Sequence, residues 1–185
     1  NLCSQEGAVY LEVGVYAGAT FCAAVQNNDM VAAYANDNWS QPNLQPARED
    51  LDLSLQNVTV DTFVKNLQEN ITTDSLDFDI QVLRGDSSGL GKKDFKHDVN
   101  IIFYDGDNSE QKMREFFLRM IDFTQDVFTL VIDDANIQEN VAITKRFIDA
   151  MGLKILYERE LLNDLEDPEM WWNGLYVVVL SKSGL

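Results

Sequence analysis

The chain has 185 residues, of which 45% are hydrophobic and 24% charged, and its formal net charge is −17 at pH 7. This length and apolar content suffice for one domain with a buried core and leave little room for two. A phosphate backbone or an anionic membrane surface would repel so acidic a protein. Neither nucleic acid nor a membrane is therefore expected as a partner.

Features that report on the cellular compartment are few. No apolar run approaches the roughly 20 residues that span a bilayer. The two cysteines, Cys3 and Cys22, are too few for a disulfide framework, which favours a reducing, cytoplasmic compartment. We expect a single domain over residues 1–185. The sequence leaves open whether the protein is a homo-oligomer and whether a segment ahead of Asn1 is missing.

Strands and helices alternate along the sequence, because short apolar runs predict strands and apolar residues at helical spacing predict helices between them. The predicted strands cover residues 8–13, 31–35, 79–83, 99–104, 128–132, 154–158 and 175–180. The predicted helices cover residues 18–27, 60–71, 110–123 and 138–152, and Asp107 with Glu110 predicts a capping box for the third of them. The pattern indicates an α/β fold with a doubly wound, mostly parallel seven-stranded sheet and an antiparallel last strand.

The most informative stretch joins the first strand to the first helix. The strand ends in Glu12, and two glycines follow it at Gly14 and Gly18. A strand, a glycine turn and a helix in this order are typical of α/β proteins that bind a nucleotide-like ligand at the helix N-terminus. Because a carboxylate beside the turn repels phosphate, the pattern favours an adenosyl ligand without a pyrophosphate. S-adenosylmethionine is the obvious candidate.

Acidic residues follow every predicted parallel strand. In an open α/β sheet the carboxyl ends of the strands form one edge, where ligands bind. The acids at these ends are Glu12, Asp37, Asp86, Asp105, Asp107, Asp133 and Asp134. Turn formation and helix capping are the ordinary roles of such residues, and capping of the next helix is the alternative for the last two.

Two functions suit this row of acids. Asp37 is placed to accept hydrogen bonds from both hydroxyls of a ribose. Asp105, Asp133 and Asp134 follow neighbouring central strands and are expected to converge on a divalent cation with oxygen ligands, such as Mg²⁺. Such a cation would lower the pKa of a substrate hydroxyl and so generate the nucleophile that attacks a methyl group.

The ring-bearing side chains differ in how they are interpreted. Trp39 either stacks near an adenine or packs in the core, and Tyr16 in the glycine turn is expected to point at the ligand. Trp171 and Trp172 either line a substrate mouth or pack on the sheet. His97 precedes the fourth strand, so it is expected at the surface of the opposite edge.

The run from Glu12 to Thr20, EVGVYAGAT, resembles the first motif of the class I S-adenosylmethionine-dependent methyltransferases. It is similar to the metal-dependent O-methyltransferases of the catechol and caffeoyl-CoA kind. A branch that methylates antibiotics and sugars, with a tyrosine-aspartate-glycine-aspartate-histidine run after the fourth strand, is even more similar. Residues 104–107 and 132–134 resemble the two metal-bearing strand ends of that family. Residues 84–88 resemble the loop that borders the adenine. The resemblance covers residues 9–180.

The resemblance implies a role for each matching position. The positions expected to contact the cofactor, with Trp39 included, are Glu12, Gly14, Tyr16, Gly18, Thr20, Asp37, Trp39, Asp86, Ser87 and Asp105. The expected metal ligands are Asp105, Asp133 and Asp134. The family carries a histidine or a lysine base in the neighbourhood of Asn108, and asparagine cannot take a proton at neutral pH. Asp105 and Asn108 are the candidate catalytic residues.

These observations predict an S-adenosylmethionine-dependent methyltransferase that acts on an oxygen of a small hydroxylated metabolite, such as a sugar, with a divalent metal, magnesium being the first candidate. The alternative is a non-catalytic cofactor-binding or assembly protein with a degenerate methyltransferase fold, and Asn108 supports it. A nicotinamide-dependent oxidoreductase would need a tighter glycine fingerprint than Gly14 and Gly18 provide.

Overall fold

The computed structural model describes residues 2–40, 58–71, 78–163 and 173–183. The strands are β1 (Val9–Val13), β2 (Ala32–Asp37), β3 (Asp79–Arg84), β4 (Val99–Tyr104), β5 (Thr124–Ile132), β6 (Lys154–Leu161) and β7 (Leu175–Ser181). The helices are α1 (Ala19–Val25), α2 (Val60–Asn70), α3 (Glu110–Met120) and α4 (Gln138–Ala150). Short 3-10 turns lie at Leu2–Ser4, Ser87–Gly89 and Lys92–Asp94.

Within these residues, seven strands form one sheet in the order β3-β2-β1-β4-β5-β7-β6. The first five strands pair in parallel with one another, whereas β7 is antiparallel to both β5 and β6. The structure confirms the doubly wound α/β fold and the antiparallel last strand that the sequence predicts. β1 lies between β2 and β4, so the strand order reverses there, and such a reversal is where ligands bind in this class of fold.

Apolar side chains on the two faces of the sheet form two core clusters. Leu11 of β1 lies in one cluster with Phe116 of α3, and its neighbour Tyr10 lies in the other with Phe21 of α1 and Phe63 of α2. Successive side chains of a strand point to opposite faces, so a strand covered on both sides becomes buried along its whole length. β1 is such a strand, and it gives the turn that follows a rigid support.

Some boundaries differ from the predicted ones. β5 begins earlier, at Thr124, and β6 continues to Leu161 as an edge strand that is exposed along its length. The polar residues of these extensions interrupt the apolar runs from which strands were predicted. The capping box predicted at α3 is wrong. Ser109 is the N-cap residue, and Asp107 Oδ1 instead accepts a hydrogen bond from the Ser109 backbone N–H (2.9 Å).

The predictions for the two tryptophans and the histidine have different outcomes. Trp171 and Trp172 lie outside the described residues. His97 lies just ahead of β4, at the edge of the sheet opposite the glycine turn, and its backbone N–H donates to Tyr34 Oη (3.2 Å). Across the residues that the structure describes, none of the helices combines the length and the apolar character needed to cross a bilayer.

Candidate functional site

The parallel register brings four of the predicted site residues into one row. Val13 at the end of β1 pairs with Asn36 on one side and Tyr104 on the other, and Tyr104 pairs with Ile132. The residues that follow these strand positions are Gly14, Asp37, Asp105 and Asp133. They therefore lie side by side at the carboxyl edge of the sheet, around the point where the strand order reverses.

Gly14 is required by the close approach of β1 to β4. Its φ is +87°, in the left-handed region, and a Cβ atom built on it would lie 2.0 Å from the backbone carbonyl oxygen of Asp105. Its N–H donates to the carbonyl oxygen of Asn36 (2.8 Å). A side chain at this position would push the glycine turn away from the loop after β4, so the turn and that loop form one packed unit.

Glu12 anchors the turn from within the core. The residue is fully buried, and its carboxyl group accepts hydrogen bonds from Tyr10 Oη (2.5 Å) and Thr20 Oγ1 (2.5 Å). Burial raises the pKa of Glu12 to about 7, although these two hydrogen bonds oppose the shift. The carboxyl group thus ties β1 to the first turn of α1.

Asp37 closes the glycine turn from the end of β2. Its Oδ2 accepts a hydrogen bond from the Tyr16 backbone N–H (2.8 Å), and its Oδ1 accepts one from the Trp39 backbone N–H (2.7 Å). The Trp39 indole N–H in turn donates to the Tyr16 carbonyl oxygen (3.0 Å). Tyr16 is held at a φ of +47° within this loop. The carboxylate is therefore fixed in place, and each oxygen keeps lone pairs for a further donor.

The Trp39 side chain packs on the core side of the turn. Its ring centroid lies 5.8 Å from that of Phe63, and the side chain is half-buried. The Phe63 ring also leaves no room for a side chain at residue 18, since a Cβ on Gly18 would lie 2.7 Å from it. Both interpretations of Trp39 remain compatible with this position, because one part of the indole packs on Phe63 while the residue is partly exposed.

The Asp86 side chain contacts helix α3, and the sequence analysis did not predict this contact. Its Oδ1 accepts hydrogen bonds from the N–H (2.9 Å) and the hydroxyl (2.6 Å) of Ser88, and its Oδ2 accepts one from Lys112 Nζ on α3 (2.8 Å). These contacts, with that of Lys112 the largest, lower the pKa of Asp86 to about 2. Asp86 thus stays ionised, and it holds the predicted adenine loop, including Ser87, against α3.

Asp105 is the acid whose environment is most unusual. The side chain is half-buried, and no hydrogen bond or ion pair to its carboxyl group is formed within the described residues. Burial, together with the nearby acids Asp133, Asp134, Glu12 and Asp37, raises its pKa to about 8. A carboxyl group that is protonated near neutral pH is a candidate for proton transfer.

Asp134 accepts amide hydrogen bonds and does not cap α4. Its carboxylate accepts hydrogen bonds from the side-chain amides of Asn108 (Oδ2, 2.8 Å) and Asn173 (Oδ1, 2.5 Å). The helix-cap alternative is wrong, because α4 begins after Ile137 without a side-chain cap, and it is the backbone carbonyl of Asp134 that accepts from Asn140 Nδ2 (3.2 Å). The amide partners of this carboxylate had no local signal in the sequence.

The predicted magnesium site is not formed. Among the described residues there is no group of three or more histidine, cysteine, aspartate or glutamate side chains that could hold a metal ion. Asp105, Asp133 and Asp134 lie near one another, but the two carboxylate oxygens of Asp134 are already engaged by amide donors. The residues present therefore do not fit the metal centre that the resemblance implies.

Asn108 carries an unpartnered polar atom at this edge. Its Nδ2 donates to Asp134, whereas its Oδ1 is buried and has no hydrogen-bond partner in the described chain. Buried polar side-chain atoms are usually paired, so such an exception calls for a physical explanation.

Comparison with known proteins identifies the fold. No protein-family model matches the sequence, and no curated protein matches it. The structure is similar to a precorrin-6y C5,15-methyltransferase from Geobacter metallireducens, with a TM-score of 0.60 and 12% identity over 96% of this chain and 82% of that one. It is also similar to an rRNA methylase from Streptococcus thermophilus, with a TM-score of 0.57 and 10% identity over 98% and 90% of the two chains.

A third similar structure was solved with a cofactor product bound. It is TrmK of M. capricolum in complex with S-adenosyl-homocysteine, with a TM-score of 0.58 and 12% identity over 96% of this chain and 63% of that one. At such low identities the likeness shows the fold alone. The chain therefore has the Rossmann-like fold of the class I S-adenosylmethionine-dependent methyltransferases.

Proposed function

We propose that this chain binds S-adenosylmethionine at the turn between β1 and α1 and transfers its methyl group to an oxygen of a small hydroxylated molecule, such as a sugar. The observation that carries the proposal is the closure of the glycine turn by Asp37, whose two oxygens accept from Tyr16 and Trp39. This closure lies at the strand-order reversal of a methyltransferase fold. The position and the acidity together suit a ribose-bearing cation better than a pyrophosphate.

Each part of the cofactor has a proposed set of neighbours in the described chain. The glycine turn, Gly14 to Gly18, would surround the methionine part, with Thr20 behind it. The remaining lone pairs of the Asp37 carboxylate would accept hydrogen bonds from the two ribose hydroxyls. The loop that begins at Asp86 and Ser87 would border the adenine, and its salt bridge to Lys112 holds it in place.

Asp105 is proposed as the group that receives the proton of the acceptor hydroxyl. S-adenosylmethionine supplies a methyl group on a sulfonium sulfur, which leaves as a neutral thioether. As the new C–O bond forms and the C–S bond breaks, the hydroxyl proton passes to the ionised form of the Asp105 carboxylate. A pKa of about 8 makes this carboxyl group a stronger base than an ordinary aspartate. The rest of the rate acceleration would come from aligning the acceptor oxygen with the methyl group in the site.

The net charge argues for a small acceptor. One of the similar structures is an rRNA methylase, and another is named for a precorrin substrate. A chain with a net charge of −17 would repel the phosphates of RNA unless a basic surface compensated. We therefore propose a small molecule rather than RNA, and inhibition of activity by added RNA or methylation of RNA would contradict this part of the proposal.

A second candidate is a protein that binds the cofactor without turnover. The observation in its favour is Asn108, a neutral amide in the neighbourhood where the resembling family has a base. Methyl transfer from radiolabelled S-adenosylmethionine to a panel of sugars and catechols distinguishes the two. Tight cofactor binding without transfer to any acceptor would favour the second candidate.

Calorimetry tests the cofactor directly. We expect heat of binding with S-adenosylhomocysteine and none with NAD, and binding of NAD alone would refute the proposal. Replacing Asp37 by alanine removes the acceptor for the ribose and loosens the turn, so we expect the affinity to fall by about tenfold or more. Asp79 is a matched control, since it lies at the far edge of the sheet in an exposed pair with Lys96 (3.4 Å). Asp79→Ala should leave the affinity unchanged.

A further inference from the structure

Strand β6 forms one edge of the sheet and is exposed along its whole length. β7 pairs with one side of it, and no described strand pairs with the other side. All eight of its residues are exposed. The outer side of an edge strand presents backbone N–H and C=O groups that have no partner in the sheet, so it can pair with a further extended chain.

Apolar side chains distinguish this edge from the opposite one. At the opposite edge, the apolar residues of β3 pack against the two core clusters. Exposed fractions on β6 lie between 39% and 51% for its apolar and aromatic residues, which are Ile155, Leu156, Tyr157 and Leu161. An exposed apolar edge strand is typical of a surface that another chain covers.

A β-bulge limits the part of β6 that can take another strand. The register with β7 shifts between Ile155 and Tyr157, and it is regular from Tyr157 to Leu161. A bulge bends its strand and interrupts the ladder of hydrogen bonds. A further strand is therefore expected to pair with the regular part, residues 157–161.

The two faces of this regular part carry charges of opposite sign, and only the acidic face is neutralised by the protein itself. Glu158 and Glu160 share one face, where Lys145 Nζ of α4 lies 3.6 Å and 3.0 Å from their carboxylates. Arg159 lies on the other face, between two apolar side chains. No acid in the described part of the chain forms an ion pair with Arg159. The charge that lacks a partner at this edge is thus positive.

A second copy of the chain is a poor partner for this strand. Two identical antiparallel strands pair around a two-fold axis perpendicular to the sheet, so the residue at the axis faces its own copy. An axis at Glu158, Arg159 or Glu160 would set a charge against the same charge, which is destabilising. An axis at either end of the regular part would pair it with the bulge or with the loop beyond the strand.

We propose that the edge of β6 from Tyr157 to Leu161 binds an extended segment of a partner protein, in which an acidic residue lies opposite Arg159 and is flanked by apolar residues two positions away on either side. The partner backbone would extend the sheet by one strand, and its carboxylate would pair with the guanidinium group. Tyr157 and Leu161 would contact the apolar flanks. Because β6 lies at the edge of the sheet, away from the glycine turn, this surface is independent of the proposed function.

A short palindromic peptide tests the proposal. Acetyl-Val-Thr-Glu-Thr-Val-amide has the same residue order from both ends, so its acid lies opposite Arg159 in either strand direction. The peptide is titrated into the isotope-labelled protein and followed by NMR. We expect the backbone amide signals of residues 157–161 to shift while those of β3 do not move. Absence of a shift at β6 with about 1 mM peptide overturns the inference.

Two altered peptides test the charge and the strand pairing separately. Lysine in place of the glutamate should weaken binding about fivefold, because it sets a like charge against Arg159. Methylation of the three central backbone nitrogens should abolish binding, because it removes the donors to the edge of the sheet. Unchanged binding of either altered peptide contradicts the inference.

Charge reversal in the protein separates recognition of the acid from adhesion to apolar side chains. Arg159→Glu should invert the preference, so that the lysine peptide binds about fivefold more tightly than the glutamate peptide. Arg119→Glu is the matched control, since Arg119 is an exposed arginine at the end of α3, and it should leave the original preference unchanged. An unchanged preference in Arg159→Glu overturns the inference.

The protein without peptide tests the other occupant. We expect the β6 signals to be independent of protein concentration. A dimer, detected by sedimentation, whose formation shifts these signals and which the glutamate peptide does not dissociate would place a second copy at the edge and overturn the inference. A chain that neither dimerises through β6 nor binds the peptide would mean that the charges of β6 only keep the edge unpaired, which also overturns it.

Discussion

Gly14 and Asp105 pack so closely that a single added Cβ atom on Gly14 would lie 2.0 Å from the Asp105 carbonyl oxygen. The two residues follow neighbouring parallel strands, and the contact joins the glycine turn to the loop that carries the proposed proton acceptor. The position of Asp105 relative to the cofactor turn is thus set by backbone packing. Its side chain remains free to interact with a ligand.

Gly14→Ala tests this packing. We expect the free energy of unfolding to fall by at least about 2 kcal/mol, because alanine is strained at a φ of +87° and its Cβ overlaps the Asp105 backbone. Urea unfolding followed by circular dichroism measures the change. Gly89→Ala is the control, since a Cβ built on Gly89 would meet nothing within 4 Å and its φ lies outside the left-handed region. Equal effects of the two substitutions would show that the close approach is not a constraint.

Glu12 makes the stability of the fold depend on pH. The pKa of Glu12 is raised from 4.5 to about 7 in the folded chain, so between these values the folded state binds more protons than the unfolded state. Stability is therefore full below the unfolded value and falls as the pH rises through the folded value, by about 3 kcal/mol for this group. Glu12→Gln mimics the neutral acid and should abolish this part of the fall.

Urea midpoints at about pH 5 and about pH 8 give the comparison for Glu12. Other carboxyl groups, Asp105 among them, contribute to the wild-type curve, so the relevant quantity is the difference between the wild type and Glu12→Gln. We expect Glu12→Gln to gain stability relative to the wild type when the pH is raised from about 5 to about 8. Parallel curves would mean that the Glu12 carboxyl group titrates normally.

Lys112 and Asp86 provide a prediction about the loop proposed to border the adenine. Their side chains are 33% and 45% exposed, so solvent screens the pair, and its coupling energy should be small but larger than that of a more exposed pair. The coupling should be present above the ordinary pKa of aspartate and disappear as the pH falls toward 2, because the pKa of Asp86 is lowered to about 2.

A double-mutant cycle with Asp86→Asn and Lys112→Gln measures that coupling energy from urea unfolding. The pair Lys65–Glu69 on α2 is the control. Its side chains are 72% and 60% exposed and 3.8 Å apart, so its coupling should be near zero. A coupling at Lys112–Asp86 no larger than that of the control would mean that the salt bridge does not hold the loop.

The fold could be predicted from the sequence because its signals are local. Apolar runs mark the buried strands, and Glu12, Gly14 and Gly18 mark the turn at the strand-order reversal. Parallel strands then bring their carboxyl ends to one edge, which is why Asp37 and Asp105 could be expected near the turn before the structure was known.

The partners of the site residues could not be predicted in this way. Asp134 accepts from Asn108, which lies 26 residues earlier, and from Asn173, which lies 39 residues later. Lys112 lies 26 residues after Asp86. Loops after different strands meet at this edge, and no periodicity in the sequence relates one loop to another. The metal prediction depended on such a relation, and the structure does not support it, because amides engage the carboxylate of Asp134.

Removal of divalent metal ions should leave the cofactor affinity unchanged. Both carboxylate oxygens of Asp134 accept amide hydrogen bonds, and the described residues form no metal-binding group around it. We expect the dissociation constant of S-adenosylhomocysteine, measured by calorimetry, to agree within about twofold in excess EDTA and in excess Mg²⁺. Methyl transfer to any acceptor that the panel identifies should likewise persist in EDTA.

Recovery of affinity or turnover only on adding Mg²⁺ back, and its loss in Asp134→Ala, would instead establish the magnesium site that the sequence predicts. That result would require the Asn108 and Asn173 amides to leave the carboxylate when the cation binds.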